Sequence, residues 1–283
     1  MNKITQIILL ITSLVTANIS LSAEKLILFG TAPDSYVVRA LELALSYDST
    51  VSYVVDTYDG DLPKTRAFEK MRNGVEVDVV FGGATIEREK TYLPIRYPLL
   101  KGLNGWRIPL IHKESKLDFT QVQSISNLKQ YTAGSFYNWS DTGVLMDNEL
   151  PVVKASNYAA LYNMLDKKRF DYFPRSILEI DSDYNNFKHY NIEISMDLIV
   201  HYPTAYYFYV SKTNSELAER IESGVMKAHK DGKMAELFWQ HHGDIIERYT
   251  KHNPNIIRLQ NNFLSPETPL DQADLWFDLS PGK

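Results

Sequence analysis

A hydroxyl and a guanidinium, Thr85 and Arg88, follow directly on a glycine pair in the run Gly82-Gly83-Ala84-Thr85-Ile86-Glu87-Arg88. A guanidinium so placed can hold a carboxylate or a phosphate through two parallel hydrogen bonds. The preceding Val77, Val79, Val80 and Phe81 are bulky residues suited to a buried strand. Gly82-Gly83 is expected to break that strand in a tight turn, with its backbone lying close to a ligand. A strand ending in such a loop delivers polar groups to the carboxyl edge of a sheet, where open α/β folds bind ligands. The competing reading makes Arg88 a surface residue paired with Glu87 or Glu89.

Other polar clusters offer less. Arg96, Lys101 and Arg107 bracket the next loop; one of them could add charge to a ligand cleft, while each alone reads as a solvated or ion-paired surface residue. Trp106 beside them reads as core, with a lid role as the alternative. Ser126-Asn-Leu-Lys129 fits a Ser-x-x-Lys nucleophile pattern, but its Ser-Asp-Asn and Lys-Thr-Gly companions are missing. His241-His242 and the five other histidines show no His-Glu-x-x-His spacing. Asp56, Asp59 and Asp61 surround a glycine without the spacing of a calcium loop. No catalytic residue, metal site or cofactor is therefore expected.

The elements that would position these groups alternate in type. Lys25–Phe29, Val51–Val55 and Val75–Phe81 read as strands. A helix capped by Asp34 or Ser35 and another capped by Asp61 separate them. That order implies a parallel sheet with right-handed crossovers. Gly105–His112 reads as a strand leaving this first unit. The middle segment carries strands at 131–134, 151–154 and 170–175, a helix starting at Ser140 or Asp141, and another at Ser156 or Asn157. Tyr206–Val210 reads as a returning strand. Thr213 and Glu216 form a capping box for a helix that Asp231-Gly232 stops, and a last helix covers 234–242. The tail from Asn253 is proline-punctuated and reads as a coil pinned by Leu264, Leu270, Leu275, Trp276 and Phe277.

The chain has 283 residues, enough for two domains. Apolar content of 44% and charged content of 23% mark a globular protein. A formal net charge of −5 argues against nucleic acid as a partner. The absence of cysteine excludes disulfides, thiolate metal sites, a cysteine nucleophile and a lipid-anchored cysteine. Lys3, the apolar Ile4–Val15 and the small, polar 17–23 read as a cleaved signal peptide over residues 1–23, with a transmembrane anchor as the alternative. The apolar run falls short of the ~20 residues a span needs. An exported, periplasmic protein is expected, most simply a monomer.

The strand ending in glycine, then Thr, an acidic residue and Arg, then Pro98-Leu-Leu before another strand, resembles the extracellular solute-binding proteins of family 3. The run Lys167-Lys-Arg-Phe-Asp171 and the stretch Ser211–Gly232 extend the resemblance over nearly all of the mature chain. It implies an α/β, two-lobed type II periplasmic-binding-protein fold with discontinuous lobes joined by crossing hinge strands. Lobe one would be 24–111 with 203–283, and lobe two 112–202. It also implies capture of a small solute for an ABC-type membrane permease. Alternatives on the same scaffold are a sensing module for a membrane kinase or cyclase, and a dehydratase-like enzyme.

The resemblance further implies roles for residues. Arg88 would clamp a carboxylate, with Gly83 and Thr85 beside it, and Tyr36 would supply an aromatic after the first strand. Asn138, Trp139 and Ser140 lie where such proteins turn from a lobe-two strand into a helix, Trp139 offering a stacking face, although the family's Gly-Thr or Gly-Ser is replaced here. Where amino-acid binders place an acid against the ligand's ammonium, this chain has Pro174-Arg175-Ser176. Arg175 in the cleft would repel an ammonium and favour an anionic solute. Outside the cleft it would pair with Glu179 or Asp171. Tyr202 and Tyr207 are further candidates for lining.

Overall fold

The computed structural model describes residues 23–278. The expected leader thus lies, except for Ala23, outside the described residues. No helix among them is long and apolar enough to cross a membrane. In chain order the elements are β1 (Glu24–Phe29), α1 (Tyr36–Leu45), β2 (Tyr53–Thr57), α2 (Lys64–Arg72), β3 (Val79–Gly83), α3 (Ile86–Thr91) and β4 (Leu93–Ile95). Then come β5 (Trp106–His112), α4 (Ile125–Leu128), β6 (Ala133–Phe136), α5 (Ser140–Asp147), β7 (Val152–Ala155), α6 (Tyr158–Asp166), β8 (Tyr172–Ser176) and α7 (Ile180–Phe187). The chain closes with β9 (Ile192–Ile194), β10 (Leu198–His201), β11 (Tyr206–Val210), α8 (Ser215–Lys230), α9 (Lys233–Thr250) and β12 (Asn255–Arg258).

Two sheets result. The first runs β2-β1-β3-β11-β4, with β1 parallel to β2 and β3, and β11 antiparallel to β3 and β4. The second runs β12-β10-β5-β8-β6-β7, with β9 also on β5. The β1–α1–β2 and β2–α2–β3 order gives the parallel part of the first sheet, as the alternating pattern requires. Its core is the near-continuous apolar run Val79, Val80 and Phe81, buried on both faces. One apolar cluster joins the lobes, running from Leu28 and Leu41 through Leu103 and Trp106 to Phe173 and Ile177.

Several elements differ from the sequence reading, each for a local reason. Gly82 and Gly83 do not form the turn; they extend β3 and pair with Tyr207 and Tyr206 of β11. A side chain at Gly82 would press on the Phe68 ring at 3.1 Å, so close packing explains this glycine. Helix α2 is entered through Pro63, not capped by Asp61, and α8 is capped by Asn214, whose Oδ1 accepts from Leu217 N. Thr213 is occupied by Ser211. Helix α9 continues to Thr250 because Ile246 and Tyr249 extend its buried stripe past Gly243. The strand β5 lies wholly in the second sheet. The tail, read as coil, places β12 parallel to β10 in that same sheet before returning to lobe one. Leu264 and Leu275 are buried there as anchors, whereas Leu270 is half exposed.

Candidate functional site

A cleft of about 900 Å³ opens between the carboxyl ends of β3, β6 and β8. Gly83, Thr85, Arg88, Asn138, Trp139, Ser140 and Arg175 all line it. The structure therefore brings together seven of the ten residues named individually for lining. Tyr36 is the first of the three exceptions and a correction. It is buried on α1 against Phe238 and His242, and its hydroxyl donates to Leu99 O at 2.7 Å. Its apolar neighbours on the helix's buried stripe fix it there. Tyr202 and Tyr207 are also buried away from the lining, and Tyr206, on the other face of β11, takes that place.

Arg88 is set by the short turn after β3. Thr85, two residues past β3, is extended as the N-cap of α3, and its Oγ1 accepts from Arg88 N. The guanidinium folds back, donating through Nη1 to Gly83 O, and lies over the Phe68 ring at 4.8 Å. Neither Glu87 nor Glu89 pairs with it. Glu89 instead holds Arg96 at 3.0 Å, and Lys101 donates to Asp274 O at 2.5 Å. Among the described residues no carboxylate lies within ion-pair distance of Arg88.

The lobe-two wall is differently arranged. Arg175 is buried and lines the cleft, and its pairing takes place there, with Glu179 also in the lining, rather than outside it. Its Nη2 meets Glu179 at 2.8 Å and its Nε meets Asp183 at 2.6 Å, while Asp171 serves Thr132 N instead. Burial opposes its charge, but the two carboxylates outweigh that and hold it above its ordinary pKa. Trp139 lies nearly parallel to Phe173, with the Arg175 guanidinium 4.8 Å from its ring centre. The stacking face expected for a solute thus meets a protein cation. Asn138 and Ser140 are exposed to the cleft.

Further residues complete the lining. Of Arg96, Lys101 and Arg107 it is Arg107 that reaches the cleft: it is not a surface residue but is buried in β5, with Nη2 2.5 Å from Asp141 Oδ1. Tyr202 donates to the same oxygen at 2.5 Å. Burial works against the guanidinium, yet Asp141 more than offsets it. Asp141 was read as a helix cap, but α5 is capped without a side chain and the carboxylate is spent on Arg107. Burial, then the Asp141 carboxylate, push the Tyr206 phenol up to about 12, so it meets a solute as a neutral group. From the tail, Asn261, Phe263 and Leu264 reach the cleft. The carboxylate four residues after Arg175 was a usable signal for Glu179. Nothing local marked Asp141 or the tail.

Comparison with solved structures follows this geometry. The chain is 15% identical to a probable amino-acid ABC transporter extracellular-binding protein from Bacillus subtilis, with a TM-score of 0.54 over 79% of this chain and 100% of that one. It is 18% identical to an ancestral arginine-binding protein bound to glutamine, with a TM-score of 0.52 over 78% and 99%. A histidine kinase sensor domain with similarity to periplasmic binding proteins is 11% identical, with a TM-score of 0.52 over 78% and 97%. No protein-family model and no curated protein sequence matches the chain. The fold is that of the two-lobed type II periplasmic binding proteins, and the resemblance read from the residues holds at the level of fold across most of the chain.

Proposed function

We propose that this chain is a solute-binding protein that captures a small carboxylate-bearing solute between its lobes and delivers it to an ABC-type membrane transporter. The observation that carries the reading is Arg88. Of the three arginines lining the cleft, Arg107 and Arg175 each carry a built-in carboxylate, and Arg88 carries none among the described residues. Five cations and two carboxylates line the cleft, which biases it toward a negative group. The amino-acid transporter proteins of the same fold support the same class of ligand. The anionic preference rests on Arg88 and not on Arg175, whose charge Glu179 and Asp183 already balance. Export through the leader at residues 1–23 belongs to this reading. A sensing role for a membrane kinase is the second reading, favoured by the similarity to a histidine kinase sensor domain.

Thermal-shift screening of amino acids and organic acids, followed by calorimetry, tests the proposal. Arg88→Ala is expected to weaken a hit by about 30-fold or more, from a loss of at least ~2 kcal/mol for a charge-assisted pair, and Arg88→Lys by less. Binding that is indifferent to both substitutions removes the reading. The integral membrane protein recovered by cross-linking, a permease or a kinase, separates transport from sensing.

A further inference from the structure

The cleft has an apolar side that Arg88 does not explain. Eight large hydrophobic residues are exposed among the described residues, and three of them, Tyr137, Met146 and Phe263, line this one cleft. Exposed apolar surface gathered in a concave site marks a place where something apolar binds. Phe263 is the informative member, because it comes from the tail and is fixed from several directions. Asn148 of lobe two clasps Gln260 twice, donating to its carbonyl at 2.8 Å and accepting from its N–H at 3.0 Å. Asn261 donates to Pro203 O at 2.8 Å and accepts from Phe263 N at 3.0 Å. Phe263 O in turn accepts from Ile86 N of lobe one, at the head of the helix that carries Arg88. The Phe263 ring lies on Gly143 of α5 so closely that a Cβ there would come within 2.6 Å of it. Even so, 36% of Phe263 stays exposed.

We infer that Asn261, Phe263 and Leu264 form a third wall of the cleft, and that Phe263 is a specificity-determining residue selecting carboxylic acids with an apolar, aryl-sized body over small polar ones. This rests on the solute-binding reading. Arg88 holds the carboxylate, and Phe263, Tyr137 and Met146 cover the body. An aryl group leaving water for such a wall gains affinity that a polar side chain cannot.

Calorimetric titration of 3-phenylpropionate, L-phenylalanine and L-glutamate against the wild-type chain, Phe263→Ala, Phe263→Leu and Arg88→Ala tests it. At least one phenyl-bearing probe should bind about tenfold tighter than L-glutamate. Phe263→Ala should remove most of that advantage, and Phe263→Leu, which keeps an apolar side chain should the alanine variant not fold, should keep part of it. L-glutamate binding as tightly as the phenyl probes, phenyl-probe binding unchanged in both Phe263 variants, or no phenyl probe binding would overturn the assignment. L-glutamate binding that Arg88→Ala abolishes, with no Phe263 dependence, would leave the solute-binding reading standing while this inference falls.

Discussion

The Arg107–Asp141 pair sets up a stability test whose size follows from its burial. Arg107 is about 5% exposed, and its Nε has no hydrogen-bond partner. Its charge therefore rests on the ion pair from Nη2 to Asp141 Oδ1, an oxygen that also receives the Tyr202 hydroxyl, and on the Tyr202 ring 5.6 Å away. Asp141→Ala strands a buried guanidinium and removes the acceptor of a buried phenol. Breaking one side of a buried pair costs about 3–5 kcal/mol. For a protein of this size that is roughly a 6–20 °C fall in Tm, a large share of an ordinary stability. The double variant Arg107→Met/Asp141→Ala removes the charge as well and should recover at least ~1.5 kcal/mol relative to Asp141→Ala alone. Urea unfolding followed by circular dichroism measures both. A loss below about 1 kcal/mol for Asp141→Ala, or a double variant no more stable than the single, would refute the claim that the pair is a compensated buried charge.

Two further outcomes are expected. Burial foremost, then Arg258 for His201 and His241 for His242, depress both histidines from 6.5 to about 4. The folded form keeps them neutral while the unfolded chain takes up protons, so stability falls as pH drops from 6.5 towards 4. The slope is at most about 1.4 kcal/mol per pH unit for each histidine. Urea midpoints across that window should shift less in His201→Asn and His242→Gln, and an unchanged slope in both would contradict the assignment. Gly224→Ala should destabilise by about 1–3 kcal/mol, because a Cβ there falls on the Ala44 carbonyl where α8 crosses α1. A gain of up to ~1 kcal/mol, as for an open helix position, would show that the two helices separate easily.

What was legible in the sequence was whatever depended on local pattern. Val79–Phe81 had to be a buried strand, and the polar groups after it had to sit at a sheet edge, so Arg88 and Thr85 followed. The turn at Asn138–Ser140 came instead from the family resemblance, not from local pattern. What stayed hidden depended on partners far away in sequence. Whether Arg175 faces the cleft or pairs outside it was left open; it faces the cleft and is paired there, with Glu179 and Asp183. Arg107 looked like one surface cation among several, because nothing near it in sequence reveals an aspartate 34 residues on. The three-residue strands β4 and β9 and the tail strand β12 are too short to carry a period. They form because β11, β5 and β10 offer them open edges. Tyr36 was misplaced because a tyrosine after a first strand suits a pocket and a helix's buried face equally well.

The arrangement of charge and of chain crossings argues for one mode of action. Two of the cleft's three arginines are neutralised internally, so the electrostatic bias comes from Arg88 on lobe one and from the exposed lysines, not from the whole lining. On the proposed function, a solute carboxylate would meet a guanidinium already steadied by Gly83 O and Phe68, and less ordering entropy would be lost on binding. The lobes, too, are more constrained than two hinge strands alone would make them. Helix α9 starts against α1 and α8, yet its far end gives Arg248 and Tyr249 to Asp181 of lobe two. The tail then enters the second sheet as β12 and returns past the cleft through the Asn148–Gln260 and Ile86–Phe263 bonds. Opening the cleft wide must break bonds at one of these ties, whereas small adjustments about them break none. On the proposed function, selectivity would come from a largely preformed site, shaped on the tail side by Asn261, Phe263 and Leu264.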